Sequence, residues 1–535
     1  MKSTMMSDQL SLNSIFARMD KLFGQSEVVS RLPDKSLKRH SYAEVAARTR
    51  GLAHALKGLG IAKGDRVATL CWNHHVHLEC YFGIPLSGAV MHTLNLRLSG
   101  EEIAWIADHA KDRVLIVDDI LLPLYRQVAE HYTFEKVIVF PFGGESVPAD
   151  LADYETLIGP HVGQPFTPAP HDETDPIGLC YTSGTTGRPK GVAYSHRSTV
   201  LHSLTASLPD YWALSGSDVV LAVTPMFHAN CWGMPYGAVM TGASLVMPGP
   251  HLHADDLLDL IKEVPPTLSL GVPTIWLSLI QAIEANPGRW ALPRGMRSIV
   301  GGSAAPESLI RAFADHGVTL CQGWGMTETS PLCTMSYIKP ELADAGEDDK
   351  FRRRATAGVP VPMVGVRLVG EDGEEIPWDG KTPGELQVRG PYITGGYHDL
   401  PADLDKHTAD GWLRTGDVAT IDPHGYMRIT DRTKDLIKSG GEWISSVDME
   451  NSLMAHPAVA EAAVIAVPHP KWNERPLACI VFKPGQTATP EALNEHLLGV
   501  FAKWQLPDRY EVLDAIPRTS TGKFWKLKLR EVFPS

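Results

Sequence analysis

The sequence predicts an α/β protein with a large N-terminal body of mostly parallel sheets and helices. A small β-barrel-like part and a small α+β C-terminal domain complete it. Three observations lead there. Short continuous apolar strands alternate with helical segments from residue 40 to about 320, the pattern of buried parallel sheets. Between about 355 and 430 valines and glycines alternate with polar residues, as in a small antiparallel unit. Asp431-Arg-Thr-Lys-Asp435 then offers no core-forming side chain, and the chain beyond it has helices and strands of its own. A length of 535 residues exceeds what one hydrophobic core supports. The expected division is 1–431 as the body, 432–436 as a hinge and 437–535 as the C-terminal domain.

The elements follow in order. Ser41-Tyr-Ala-Glu begins an amphipathic run through Leu56, and Arg66 to Cys71 is strand-like. Ala89 to Thr93 reads as strand, and Ser99 to His109 as a helix. Val114 to Asp118 and Lys136 to Phe140 are further strands. Pro176 to Cys180, Val219 to Val223, Ser244 to Met247 and Ser298 to Val300 continue the pattern. Gly365-Val-Arg-Leu-Val369 and Gly384-Glu-Leu-Gln-Val-Arg-Gly390 supply the β-rich part. After the boundary come a helix from Ser446 to His456 and strands over 459–467 and 477–482.

Composition excludes several function classes. The net charge is −13 and there is no block of basic residues, which argues against a nucleic-acid partner. The apolar-rich stretch from Leu268 to Ile283 is broken by Pro273 and too short to span a bilayer, so no stable membrane insertion is expected. The first residues lack the apolar core of a signal peptide. Seven scattered cysteines without a CxxC pair fit reduced thiols in a cytoplasmic protein. His74, His75 and His77 read as structural rather than metal-binding, since the local sequence supplies no completing ligands.

Six segments carry chemistry. Tyr181-Thr-Ser-Gly184-Thr-Thr-Gly187-Arg-Pro-Lys190-Gly191 gathers backbone N–H groups, hydroxyls and an ammonium with no acidic residue, which suits a polyphosphate. It is not the common NTPase loop, because Lys190 is followed by glycine rather than Ser or Thr. Ser298-Ile-Val-Gly301-Gly302-Ser303-Ala-Ala-Pro306 is a strand-to-helix turn, or else a flat backbone surface for a purine. Cys321-Gln322-Gly323-Trp324-Gly325-Met-Thr327-Glu328 is packing, or a base-stacking ring followed by a carboxylate suited to Mg²⁺. Gly411 to Asp417 ends in a turn aspartate that caps its own backbone or accepts from a ribose. Asp431 to Trp443 joins charge to the pair Gly440-Gly441, as a solvated linker or a hinge with a slim passage. Pro517-Arg-Thr-Ser-Thr-Gly522-Lys523 sets Lys523 directly after a glycine turn, apart from the basic residues that follow.

Together and in this order, the segments resemble the adenylate-forming superfamily over nearly the whole chain. The hinge region, Lys434-Asp-Leu-Ile-Lys-Ser-Gly-Gly-Glu-Trp-Ile-Ser446, looks like that of medium- and long-chain fatty acyl-CoA ligases, within which the sequence is most similar to ligases of 3-methylmercaptopropionate. The resemblance implies an ATP-dependent acyl-CoA ligase that forms an acyl-adenylate and then a thioester, releasing AMP and pyrophosphate, on a short/medium-chain acid such as 3-methylmercaptopropionate. Alternatives are a medium/long-chain fatty acyl-CoA ligase or, less expected, an enzyme loading a carrier protein. Mg²⁺ would be the cofactor, a small carboxylic acid, ATP and CoA the partners, and a homodimer the assembly.

The resemblance also assigns residues. Thr182, Ser183, Gly184, Thr185, Thr186, Gly187 and Lys190 would hold phosphates, and Thr182 and Glu328 would hold the metal. Thr327 would touch the α-phosphate. Gly302, Ser303, Gln322, Gly323 and Trp324 would surround adenine, while Asp417 and Arg432 would take the ribose. Lys434 and Lys438 would line the nucleotide side of a mobile C-terminal lid. Asp435 would be the hinge, and Lys438, Gly440, Gly441 and Trp443 the CoA passage. His228 and Lys523 would be catalytic. His228, Trp232, Gly302 and Pro331 would meet the acyl group. Asp431, where many members carry glycine, is expected to have little consequence beside Arg432.

Overall fold

In a computed structural model of the protein the described residues are 1, 3–182, 188–401, 406–432, 434–439, 442–519 and 523–534. Two large sheets form the body. One has seven strands in the order Ala152–Asp153, Lys136–Phe140, Asp112–Asp118, Arg66–Leu70, Val90–Thr93, Pro176–Tyr181, Gly191–Ser195. All its neighbours are parallel except the last pair, an antiparallel hairpin across the glycine-rich loop. The other has nine strands centred on the parallel set Ser244–Met247, Val219–Ala222, Leu268–Gly271, Arg297–Val300 and Thr319–Gly325. Their Val, Ile and Leu runs are buried on both faces, as parallel strands under covering helices must be.

The helices start where the sequence supplies caps. Ser41 and Ser99 each accept from the backbone N–H three residues on, while Glu44 and Glu102 reach back to the cap, so helices Tyr42–Gly58 and Gly100–Ala110 begin on closed capping boxes. Pro273 occupies the first position of helix Pro273–Ala285, where its missing N–H costs nothing. No helix among the described residues is long and apolar enough to cross a membrane.

The β-rich part differs from the expected barrel-like unit. Gly365–Val369, Gly384–Arg389, Leu413–Ile421 and Met427–Arg432 form a four-stranded antiparallel meander whose end strands do not pair with each other. Four strands are too few to curl into a closed barrel. A bridge from Met427 to Gly358 fastens the meander to the body. The C-terminal sheet is separate: Glu442–Ile444, Ile437–Ser439, Asn473–Phe482 and Val459–His469 pair antiparallel, and Arg509–Val512 adds parallel to Asn473–Phe482. Its own apolar core includes Ile437, Ile444, Val464, Ile480 and Leu497.

The histidines of 74–77 lie in the core. His74 Nε2 bonds Asp118 Oδ1 at 2.8 Å, and Cys71 stands within ligand distance of both. These atoms are engaged by protein: Trp72 N–H donates to Asp118 Oδ2, His77 N–H to His74 Nδ1, and Cys71 Sγ to the Ile116 carbonyl. The sequence alone gave no sign that Cys71 and Asp118 would meet His74.

Candidate active site

The glycine-rich loop is closed at its neck by Thr182. Its N–H donates to the Lys190 carbonyl at 2.9 Å, and its Oγ1 accepts from the Lys190 N–H at 3.1 Å. Ser183, Gly184, Thr185, Thr186 and Gly187 lie outside the described residues. Lys190 places its ammonium 4.8 Å from the centre of the Tyr397 ring. Tyr397 in turn donates its hydroxyl to Glu328 Oε1 at 2.9 Å. One tyrosine therefore ties the phosphate-loop lysine to the candidate metal carboxylate. Sequence reasoning passed over it, although Gly395-Gly396-Tyr397 is a visible turn signal.

Glu328 is buried in the short helical turn Thr327–Thr329, which is held from beneath by Tyr194 Oη donating to the Thr327 carbonyl. The turn depends on Gly325, where a Cβ would fall 1.7 Å from the Pro331 carbonyl oxygen. Glu328 is a hard, buried carboxylate of the kind Mg²⁺ takes beside nucleotide oxygens and water, and the Thr182 hydroxyl, which accepts from Lys190 N–H, keeps a second lone pair.

Of the residues expected around base and ribose, Trp324, Asp417 and Arg432 share one wall. Trp324 Nε1 donates to Asp417 Oδ2 at 2.9 Å, and Arg432 Nε lies 3.4 Å from Asp417 Oδ1. Asp417 and Arg432 are directly paired on adjacent strands of the meander, which explains their separation by 15 residues in sequence. Gln322 turns elsewhere: its Oε1 accepts from Ala305 N–H at 2.7 Å and so shapes the Gly302-Ser303 turn from behind. Gly323 sits on the strand between them, and Gly302 and Ser303 are exposed on the open side.

Lys523 reaches this wall from the C-terminal domain. Its Cε lies 3.9 Å from where a Gly302 Cβ would be. Burial and the neighbouring Arg432 push its ammonium down to about 8, against the pull of Asp417 and Glu328. His228 feels the same charge: burial, then Lys523 and Arg97, hold its imidazole down to about 4, so the ring is neutral.

The chain after His228 takes an unusual path. Ala229, Asn230, Cys231, Trp232 and Gly233 are all left-handed, with φ of 43°, 50°, 52°, 56° and 78°. Four of these are not glycine, so the turn carries strain of about 1–2 kcal/mol per residue. It aims the Trp232 ring at the Gly301 backbone, where the ring edge would stand 3.2 Å from an added Cβ. Pro331 is buried close by, in the segment whose Ser330 carbonyl faces Gly233.

The remaining sequence-predicted residues lie around the domain junction. Asp435 is buried and held by Arg530 at 2.7 Å. Lys434 is exposed, and Lys438 lies over the half-exposed Trp443 ring at 4.7 Å. Gly440 and Gly441 fall outside the described residues. Asp431 is 1 % exposed and accepts from the Ser446 N–H at the start of the next helix.

The profile described as AMP-binding enzyme matches residues 21–398, and that of its C-terminal domain matches residues 448–523. The chain belongs to the AMP-binding enzyme family. It is similar to a long-chain-fatty-acid–CoA ligase of Thermus thermophilus, 50 % identical over 99 % of this chain and 97 % of that one. A 3-methylmercaptopropionyl-CoA ligase of Ruegeria lacuscaerulensis is 43 % identical over 100 % of this chain and 99 % of the relative. An anthranilate CoA ligase solved in complex with anthranoyl-AMP superposes with a TM-score of 0.86 at 26 % identity, covering 99 % of each chain. This AMP-binding enzyme is thus an adenylate-forming acid–thiol ligase of the acyl-CoA synthetase type, with ATP and CoA as co-substrates.

Proposed function

We propose that this ligase acts on short and medium acids, 3-methylmercaptopropionate and C4–C6 straight chains among them, and that Lys523 is its adenylation lysine. The carrying observation is Trp232, whose strained turn packs the indole on Gly301, one residue from the Gly302 beside Lys523. An indole in that position limits the length of an acyl tail that can lie beside the reacting carboxylate. Cys231 and Met234 are buried nearby and offer polarizable surface suited to a thioether. The runner-up, a medium/long-chain fatty acyl-CoA ligase, is favoured by the similarity to the Thermus relative and requires Trp232 to swing aside.

The reaction joins two anions, so charge must be neutralised and oxygens aligned. An oxygen of the acid attacks the α-phosphorus of ATP, and the bond to pyrophosphate breaks. Lys523, beside Gly302 and within the fields of Asp417 and Glu328, bridges the incoming carboxylate and the α-phosphate. Thr327 lies in the same turn as Glu328 and contacts that phosphate. The nucleotide is oriented by Trp324, Asp417 and Arg432 and gripped at its far phosphates by the 182–190 loop. Mg²⁺, held by Glu328 and Thr182, would neutralise the phosphate oxygens. Neutral His228 separates acyl and nucleotide pockets without repelling Lys523.

The CoA sulfur then attacks the acyl carbon and AMP departs. We take 1–431 as the body, 432–436 as the hinge and 437–535 as a lid. Rotation at Asp435 would exchange Lys523 for the Lys438 to Trp443 segment. Seven free cysteines support a cytoplasmic setting, and the family resemblance supports a homodimer, which light scattering would test. Function is tested by AMP and thioester release over an acid series from C3 to C16 with 3-methylmercaptopropionate included. We expect kcat/KM to peak at or below C6; a preference for palmitate overturns the short-acid reading.

A further inference from the structure

Three residues beyond Lys523 the chain enters its last helix, Lys526–Val532, and Lys526 turns inward. Its Nζ donates to Ser446 Oγ at 2.6 Å and pairs with Glu450 Oε1 at 2.7 Å. Glu450, 7 % exposed, also accepts from Val464 N–H at 2.7 Å, so its carboxylate is fixed to the lid sheet. Ser446 begins helix Ser446–Met454, and its N–H donates to Asp431 Oδ2 at 2.7 Å. Asp431 belongs to strand Met427–Arg432, the strand that presents Arg432 to Asp417. Through strand Met427–Arg432 and the buried contacts of Asp431, Glu450 and Lys526, the wall that holds Arg432 is thus joined across the junction to the helix that follows Lys523.

We propose that Asp431, Glu450 and Lys526 are positioning residues for Lys523, forming a buried clamp that favours the lid orientation in which Lys523 stands beside Gly302. The proposal rests on the reading of Lys523 as the adenylation lysine and Asp435 as the pivot. Upstream, the lysine turn is anchored by Thr519 N–H donating to the Lys523 carbonyl at 2.8 Å and by the Arg518–Glu461 pair at 2.6 Å. Both of those anchors lie within the lid. Asp431 alone among the clamp residues lies on the body side of Asp435, so its bond to Ser446 reports the orientation of the lid. A rotation at Asp435 carries Ser446 away from Asp431 and breaks that bond. Buried ion clusters add little net stability compared with apolar packing, yet removing one member is costly, which suits a device that fixes geometry. A transition-state contact misplaced by about 1 Å loses about 100-fold in rate, so a clamp on the lysine has a measurable consequence.

The test uses the full-length protein with Lys526→Met, Asp431→Asn and the double variant Glu450→Met/Lys526→Met. Two half-reactions are followed: acid-dependent ATP–pyrophosphate exchange, and thioester formation from supplied acyl-adenylate and CoA. Lys526→Met is expected to lower the exchange kcat by about 10- to 100-fold, with KM for ATP within about threefold and transfer within about twofold. The double variant, freed of the unpaired Glu450 carboxylate while Asp431 stays, is expected to regain part of the melting temperature but not exchange. Should Lys526→Met fail to fold, the near-isosteric Asp431→Asn carries the same expectation with a loss of at least about fivefold. Equal loss of both half-reactions, or intact exchange in all three variants, overturns the clamp. Lys523→Ala is measured alongside: exchange lost there but kept in the clamp variants sinks the clamp alone. Exchange that survives Lys523→Ala sinks the underlying reading instead.

Discussion

The ammonium of Lys523 should write its own signature into the pH profile of adenylation. The perturbation is pH itself, with Lys523→Arg as the control. Burial and Arg432 bring the lysine down to about 8 in the free enzyme. The protonated form is the useful one, because it must bridge two anions. At pH 7 about nine-tenths of the enzyme carries that proton and at pH 9 about one-tenth, so kcat/KM for ATP–pyrophosphate exchange should fall about tenfold across this interval. Bound ATP and acid are anions that favour the charged lysine, so the falling limb in kcat must lie at higher pH than the limb in kcat/KM. Exchange is the right assay, since it involves no thiol whose own titration would overlap. His228, held down to about 4, adds no limb between pH 5 and 8. Lys523→Arg, with a guanidinium that stays charged, should abolish the limb even if its rate is low. A wild-type profile flat to pH 9.5, or an unchanged limb in Lys523→Arg, would refute the assignment.

Three further outcomes are expected. Lys523→Ala should cost exchange about 100-fold or more while sparing transfer from supplied acyl-adenylate, and Asp435→Pro should do the reverse by restricting the hinge; equal effects on both half-reactions would argue against a rotating lid. Trp324→Phe keeps a ring but removes the N–H that binds Asp417 at 2.9 Å, and KM for ATP should rise about tenfold, the equivalent of one charge-assisted bond; an unchanged KM would mean that Arg432 alone orients the carboxylate. Trp232→Ala should raise kcat/KM for C8–C12 acids at least about tenfold relative to C4, because exclusion rather than attraction sets the limit; parallel changes across the series would show that the indole does not bound the pocket.

Much of this molecule is legible because its chemistry is local. The capped helices at Ser41 and Ser99 and the apolar strands from Arg66 to Ser298 announce themselves through periodicity and composition. So does the ordered set of loops at their ends, since in parallel sheets loops at one edge are brought together. What escaped depends on distant partners. Strand Glu27–Arg31 adds parallel to Ser244–Met247, a pairing no local pattern marks. The left-handed run through Trp232 uses residues that ordinarily avoid that conformation, and only the surrounding packing selects it. Gln322 was expected at the base, but its carbonyl finds Ala305; a side-chain amide gives no sequence cue to its direction. Asp431 read as a polar linker residue because its partners, Ser446 and Lys526, lie 15 and 95 positions on.

Two lysines three residues apart divide the work of the C-terminal domain. Lys526 is committed, with Glu450 and Ser446 holding its ammonium and Asp431 adding a favourable field. Among the described residues no carboxylate pairs with Lys523, and its ammonium is pushed down rather than up. A partnered Lys523 would be easier to hold in the resting enzyme but would have to surrender its partner before meeting the substrates. Leaving its charge uncommitted makes the resting state costlier and the charged complex correspondingly more favourable, which is the direction catalysis requires. The neighbouring clamp makes that arrangement tenable, because it fixes the backbone through a different side chain. The same division explains why a conservative change at either lysine is not conservative in effect. At Lys523 it alters the chemistry; at Lys526 it alters where the chemistry is delivered.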